Sequence, residues 1–378
     1  MKPIKTAIVG LGKMGMRHLE NLLMLPDSYE VIAVAEPGDV VTGAELSIKS
    51  TIEGNGIQCY RDYHDMMDAE KELEAVFVCT PHHLHEAVCV EALAYPFDVF
   101  LEKPVAPTLA ACNRILEAEK ASDCNVAVGY HHMGHANAQY LKSMITSNWI
   151  GSILEVIVTV PWSRPNSYYE RVDWAGKMKV GDQWCLDGVL MNQMSHFVNQ
   201  AMWFAWSFST DGLASLVDGS MECSLYKIHS TPSLEADDLA VLRCTLGIGT
   251  RLFCIGSTAL ETGEKETIEI IGSHGRVLYD GTAYVWPKKR SYMKWNNADE
   301  DYYMYKDFAS MVRKDTIPFS PLNEATKATA LLNAAYMAAD FEVKDISGSD
   351  IGDLKSLMHK AAQYRCLFNE LPDPPAWS

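Results

Sequence analysis

The chain has 378 residues, 48% of them hydrophobic and 21% charged, a soluble globular balance in a sequence too long for one comfortable core, so two domains are expected. Its 49 acidic against 32 basic side chains leave a net charge of −17, which argues against nucleic acid or an anionic membrane as the main partner. No run of about 18 apolar residues implies a membrane span, no cleavage site follows the short apolar run Thr6 to Val9, and ten cysteines are scattered singly, as expected of reduced thiols in a cytoplasmic protein.

In the first third, apolar runs of strand length at Thr6 to Val9, Val31 to Ala35, Ala75 to Cys79, Val99 to Leu101 and Val126 to Val128 alternate with helical patterns such as Leu19 to Leu25 and Glu86 to Leu93. The alternation predicts a doubly wound parallel sheet, an α/β domain over residues 1–129. From Ile153 the runs lengthen, at Ile153 to Val160, Leu239 to Leu246, Arg251 to Ser257 and Thr267 to Ile271, with few helices between them. They predict a mostly antiparallel sheet in a second, α+β domain over 130–320. A helix is expected from Leu190 to Trp206, and another after Ser320-Pro321, where Ser caps and Pro opens a segment whose apolar face is Ala328, Leu331, Leu332, Ala335 and Ala339. Residues 321–378 then form a helical C-terminal part that ends in the non-helical tail Leu371 to Pro375.

Gly10-Leu11-Gly12-Lys13-Met14-Gly15 is a G-x-G-x-x-G segment that directly follows the first strand and opens a helix. Gly10 permits the tight turn, Gly12 admits a pyrophosphate to the backbone, Gly15 lets helix and strand close up, and the helix N-terminus faces the phosphates. Glu36, 21 residues beyond Gly15 at the end of the second strand, can accept from both ribose hydroxyls and would repel a 2′-phosphate, so NAD is favoured over NADP. Lys13 still offers a charge to screen an extra phosphate. Thr80, Pro81, His82 and His85 follow one strand of this sheet and Glu102-Lys103-Pro104 another, both where open α/β sheets bind ligands. Pro104 pins Lys103 in an extended conformation, from which its ammonium can orient a substrate hydroxyl.

Asn192 and His196 are four residues apart, on one face if the segment is helical, and an imidazole suits proton abstraction from an alcohol. Trp162, Arg164, Arg171, Trp174 and Trp184 interleave ring faces with hydrogen-bonding groups, the chemistry of a carbohydrate site, and are expected to contact substrate together with His131. The histidines at 82, 83, 85, 131, 132 and 135 lack a thiolate or carboxylate spacing that would complete a metal site, and no metal is expected.

The glycine segment, Thr80-Pro81 through His85, Glu102-Lys103-Pro104 and the Asn-x-x-x-His of Asn192 to His196 together resemble the Gfo/Idh/MocA oxidoreductases, the glucose–fructose oxidoreductase and inositol dehydrogenase group, in the order of their motifs and over nearly the whole chain. The resemblance implies a Rossmann domain, an α+β domain whose open sheet forms a homodimer or homotetramer interface, and a late helix that packs back on the first domain. It also implies that Lys103 and His196 flank the substrate carbon facing the nicotinamide. Two departures stand out: Asn192 and Met194 replace the family's common Asp and Gly, removing a negative charge beside the base. Tyr130 to His135 replaces a segment often rich in basic residues, which weakens the case for an anionic substrate. The expected activity is NAD-dependent oxidation or reduction at a secondary hydroxyl of a sugar, polyol or glycoside. The rivals are a redox-neutral NAD-dependent glycosidase and a non-catalytic sugar or dinucleotide sensor.

Overall fold

The structure, a computed structural model, describes residues 2–38, 45–205, 221–247, 249–281, 283–286, 291–292 and 300–346. Trp206, Cys366 and the tail from Leu371 to Pro375 lie outside the described residues.

Six strands form the first sheet: β1 (Ile4–Val9), β2 (Tyr29–Ala35), β3 (Gln58–Tyr60), β4 (Ala75–Val78), β5 (Asp98–Leu101) and β6 (Val126–Val128). All pairings are parallel, in the order β3-β2-β1-β4-β5-β6. This is the doubly wound arrangement in which the carboxyl ends of β1 and β4, on the two sides of the chain reversal, make a ligand crevice. β4 and β5 are buried along their whole length, which is why they read as unbroken apolar runs. β3 is a three-residue, mostly exposed edge strand of Gln, Cys and Tyr, and carries no such signal.

The helices of this domain are α1 (Lys13–Leu23), α2 (Glu45–Gly54), α3 (Tyr63–Ala69), α4 (His85–Ala94) and α5 (Leu109–Ala121). α1 buries Gly15, His18, Leu19 and Leu22, a single face at 3.6-residue spacing. α6 (Ala136–Thr146) leads into the second domain.

The second sheet has nine strands: β7 (Ile153–Pro161), β10 (Glu222–Lys227), β11 (Leu239–Thr245), β12 (Arg251–Ser257), β13 (Thr267–Gly272), β14 (Arg276–Tyr279), β15 (Ala283–Trp286), β16 (Ser291–Tyr292) and β17 (Val343–Asp345), while β8 (Lys179–Val180) and β9 (Gln183–Trp184) make a separate hairpin. The order β16-β15-β14-β13-β7-β12-β11-β10-β17 is antiparallel except at β7 with β12 and β10 with β17. The expected Leu190 to Trp206 helix begins as one π-helical turn, Val189–Gln193, and continues as α7 (Met194–Ala205). α7 lies so close to the sheet that a Cβ on Gly256 would stand 2.4 Å from the Met194 sulfur.

Two late helices join the domains. α8 (Glu300–Val312) packs Tyr305 and Phe308 against Phe77 and Phe100 of the first sheet. α9 (Leu322–Ala338) buries Leu322 and Ala325 in the first domain's core and Ala328, Leu331, Leu332, Ala335 and Tyr336 in the second's. It starts one residue later than the capping pattern suggests, with Pro321 as the cap. The Ser320 carbonyl accepts from Val128 N–H at 2.9 Å, so that residue belongs to the edge of the first sheet. No helix among the described residues is long and apolar enough to cross a membrane.

Candidate active site

The glycine segment sorts into two internal requirements and one opening. Gly10 sits at φ +91°, and a Cβ there would meet the Cys79 carbonyl oxygen at 2.8 Å; one on Gly15 would fall 1.9 Å from the Gly10 oxygen. A Cβ on Gly12 would meet nothing within 4 Å. α1 starts there without a side-chain cap and without an acid in its first turn, so its first N–H groups and positive dipole end face open space. Lys13 is exposed and Met14 half-buried beside this cradle. Glu36 follows β2 and accepts from Leu11 N–H at 2.6 Å, holding a carboxylate at the rim of the glycine loop. Thr80 adds a buried hydroxyl with no partner among the described residues, next to Pro81 at the end of β4. An anion-binding cradle, a rim carboxylate and an orphaned hydroxyl fit a dinucleotide with free ribose hydroxyls.

Two residues expected on the cofactor do other work. Glu102 is buried and accepts from His18 Nε2 at 2.9 Å and from Lys103 N–H at 3.1 Å; the Tyr305 hydroxyl lies 2.9 Å from His18 Nδ1, which ties β5 to α1 and α8. The His85 ring lies between the Pro104 and Thr80 carbonyls, 2.8 and 2.9 Å away, and locks the β4 and β5 end loops together. It is fully buried. His82 is also buried, 5.4 Å from the Trp174 ring, which brings the aromatic segment of the second domain over the β4 end.

The Lys103–Pro104 peptide is cis. Lys103 Nζ donates to Asn192 Oδ1 at 2.7 Å and to the Asn192 carbonyl at 3.0 Å. Asn192 belongs to the π turn and His196 to α7, so the pair spans a change of helix type, and the regular i, i+4 face expected for them is not what aligns them. The turn is instead pinned by Asp237, whose carboxylate accepts from Leu190 N–H at 2.8 Å and from the Tyr336 hydroxyl of α9 at 2.6 Å. Asn192 Nδ2 donates to Asp187 Oδ1 at 2.6 Å. His196 Nδ1 is buried and has no hydrogen-bond partner among the described residues; its ring centroid lies 5.0 Å from that of His131 and 4.8 Å from that of His132.

Burial pushes the His196 pKa well down, and the charge of Lys103 and the neighbouring imidazoles push the same way, so the ring is neutral at pH 7. Burial also lowers Lys103, opposed by Glu102 and Asp187.

A cavity of about 300 Å³ shares the His131 and His132 rings with His196 and is lined further by Phe197, Gln200, Glu266 and Asp280. Trp162 stands at its edge, donating through Nε1 to Glu266 at 3.0 Å. Arg164 lies over the Trp162 and Tyr168 rings, and Arg171 over Tyr168 and Trp174 with its Nη2 4.0 Å from Asp187. Trp184 is elsewhere: its ring stacks on Phe341 beyond α9 at 4.7 Å, covered by Lys179, so it packs the second domain and does not join this group. No group of three or more His, Cys, Asp or Glu among the described residues has metal-binding geometry. His18, Asp187, Asp237, Glu266 and Tyr336 have roles that sequence reasoning does not assign. Their partners lie 5 to 104 positions away, or farther, and no local spacing marks them.

The fold and this geometry define a class: a Rossmann domain whose glycine loop opens beside a strand-end lysine, Lys103, that bonds Asn192 of a second, sheet-based domain. Residues 4–130 match a family model described as an oxidoreductase family with an NAD-binding Rossmann fold, and residues 138–278 match the GFO/IDH/MocA C-terminal domain. The chain belongs to the GFO/IDH/MocA oxidoreductase family. It is 35% identical over 177 residues to the inositol 2-dehydrogenase of Salmonella typhimurium, covering 44% of this chain and 51% of that one; the chain thus spans about half the length of the curated relatives it matches. Among solved structures it is similar to the WlbA dehydrogenase from Bordetella pertussis in complex with NADH and UDP-GlcNAcA, with a TM-score of 0.73, 23% identity and coverage of 90% of this chain and 97% of that one. It is also similar to myo-inositol 2-dehydrogenase from Lactobacillus plantarum, with a TM-score of 0.71, 19% identity and coverage of 90% and 98%.

Proposed function

We propose that the chain is a cytoplasmic NAD-dependent oxidoreductase acting on a secondary hydroxyl, or the corresponding ketone, of a sugar, polyol or glycoside. The observation that carries this reading is the meeting of Lys103, Asn192 and His196 at the carboxyl ends of the Rossmann strands, with one imidazole nitrogen buried and unpartnered. NAD, held by the Gly10 to Gly15 cradle, Glu36 and Thr80, supplies the hydride acceptor when bound. In the oxidative direction His196 takes the hydroxyl proton. Lys103 holds the same oxygen through a donated hydrogen bond and stabilises the charge that develops on it. Asn192 fixes the ammonium. The enzyme's main contribution is positioning these groups in a closed crevice. The polar and aromatic lining of the cavity, with His131, Phe197, Gln200 and Glu266, suits a polyhydroxylated substrate, and relatives named inositol dehydrogenases support that class.

A second reading, a glycosidase that recycles NAD through oxidation, elimination and reduction, draws on the cavity beyond His131 and His132, which has room for a second ring. A non-catalytic sensor is disfavoured because the whole acid–base trio is present. The test is incubation with NAD and a panel of inositols, free sugars and glycosides, following reduced-nicotinamide absorbance and sugar products in parallel. Stoichiometric NADH supports the dehydrogenase, and sugar cleavage without net NADH supports the recycling enzyme. Bound NAD with neither signal across the panel would overturn both.

A further inference from the structure

The Lys103–Asn192 contact does not stand alone. Asn192 is an amide between an ammonium, which can only donate, and the Asp187 carboxylate, which can only accept. Only one orientation satisfies both neighbours, with Oδ1 towards Lys103 and Nδ2 towards Asp187. Asp187 is itself fixed: it is 2% exposed, its Oδ2 accepts from Gly176 N–H at 2.8 Å, and Arg171 stands 4.0 Å away. Burial pushes its pKa up to about 6, so it is ionised at neutral pH. Lys103 donates two hydrogens to Asn192, and its third meets no protein acceptor among the described residues.

We propose that Asp187 is a positioning residue which locks the Asn192 amide so that Lys103 is held by two hydrogen bonds and presents its third hydrogen to the substrate oxygen. The carboxylate missing beside the base at position 192 is thus supplied one hydrogen bond further out, at 187. The inference rests on the reading of Lys103 as the group that holds the reacting oxygen, but its test does not.

The hydrogen-bond polarity makes a definite forecast. In Asp187→Asn the new amide keeps its oxygen on Gly176 N–H and turns its NH₂ towards residue 192. Asn192 must then rotate, aiming its own NH₂ at the Lys103 ammonium. In the double variant Asp187→Asn/Asn192→Asp, the carboxylate at 192 accepts from both sides: the bond between 187 and 192 is remade with reversed polarity, and Lys103 donates to 192 as before.

The experiment is acetylation of the full-length protein by acetic anhydride at one fixed pH, without NAD or sugar, with the rate at Lys103 read by peptide mass spectrometry. Asp187→Asn is expected to acetylate Lys103 several-fold faster than wild type, because the amine loses an acceptor and a carboxylate, and the double variant to return to the wild-type rate or below it. A folded Asp187→Asn protein that labels at the wild-type rate, or a double variant as fast as the single, overturns the proposal. Should the single variant not fold, the double alone decides, slow labelling supporting the relay and fast labelling refuting it. If labelling behaves as expected while no sugar or polyol is turned over by the wild type, the relay stands and the functional reading falls. The converse pattern separates them the other way.

Discussion

At the scale of single residues, the three glycines of the cradle have separable roles. Gly15→Ala drives a Cβ into the Gly10 carbonyl and should lower the unfolding free energy by roughly 3 kcal/mol. Gly12→Ala adds a methyl to open space at an ordinary φ of −63°, so thermal stability should hold while NAD affinity falls. Parallel measurement of Tm and NAD Kd checks both. Equal stability losses would mean that Gly12 is not a phosphate approach. The pH profile of kcat/KM tests the acid–base pair. His196 is pushed below its ordinary value, so the acid limb should lie below pH 6.5; Lys103 is pushed down as well, so the alkaline limb should begin below 10.5. An acid limb above 6.5 would remove His196 as the base. Gly10 to Gly15, Glu36 and Lys103 stand out in the sequence as candidates because each follows a strand in a short motif, and His196 does so through its spacing from Asn192. Glu102 and His85 sit in the same motifs, yet their side chains serve His18 and the paired loops. A motif reports a place in the chain, and the direction of a side chain depends on distant partners.

At the scale of elements, the π turn before α7 places Asn192, and the turn depends on Asp237, from β11's leading loop, and on Tyr336, from α9. Tyr336→Phe keeps the ring packed but withdraws the donor from a buried carboxylate, which should cost about 1.5–3 kcal/mol. It should also lower kcat more than NAD affinity, since the cradle lies in the other domain. Urea unfolding and cofactor titration check this, and unchanged turnover would detach α9 from the site. Strands with continuous or alternating apolar patterns were predictable, as β4, β5, β7 and β12 were. β3, β10 and the last strands of the large sheet were not, because short or half-exposed edge strands need little apolar patterning. The π turn has no periodic signature of its own, and the segment 189–205, apolar but interrupted by Asn192, Gln193, His196, Asn199 and Gln200, reads as one regular helix.

At the scale of the molecule, two domains divide the work and two helices keep them in register. The first supplies a phosphate cradle and Lys103; the second supplies Asn192, His196 and the lined cavity; α8 and α9 bury side chains against the first domain, α9 against both. The two-domain plan was legible because the change from short alternating runs to long strands is a change in sequence grammar. The way in which the late helices close the crevice was not, since it is written in contacts hundreds of residues apart, such as His18 with Tyr305. The central claim is hydride removal from a carbinol carbon at the Lys103–His196 pair, and isotope tracing tests it most directly. A sugar or polyol deuterated at the reacting carbon is incubated with NAD, and the nicotinamide ring is analysed for deuterium. The account predicts deuterium on one face of the ring with the wild type, and at least about a hundredfold less with Lys103→Met despite retained NAD binding. Deuterium transfer undiminished in Lys103→Met, or absent with every sugar and polyol while NAD is bound, would contradict it.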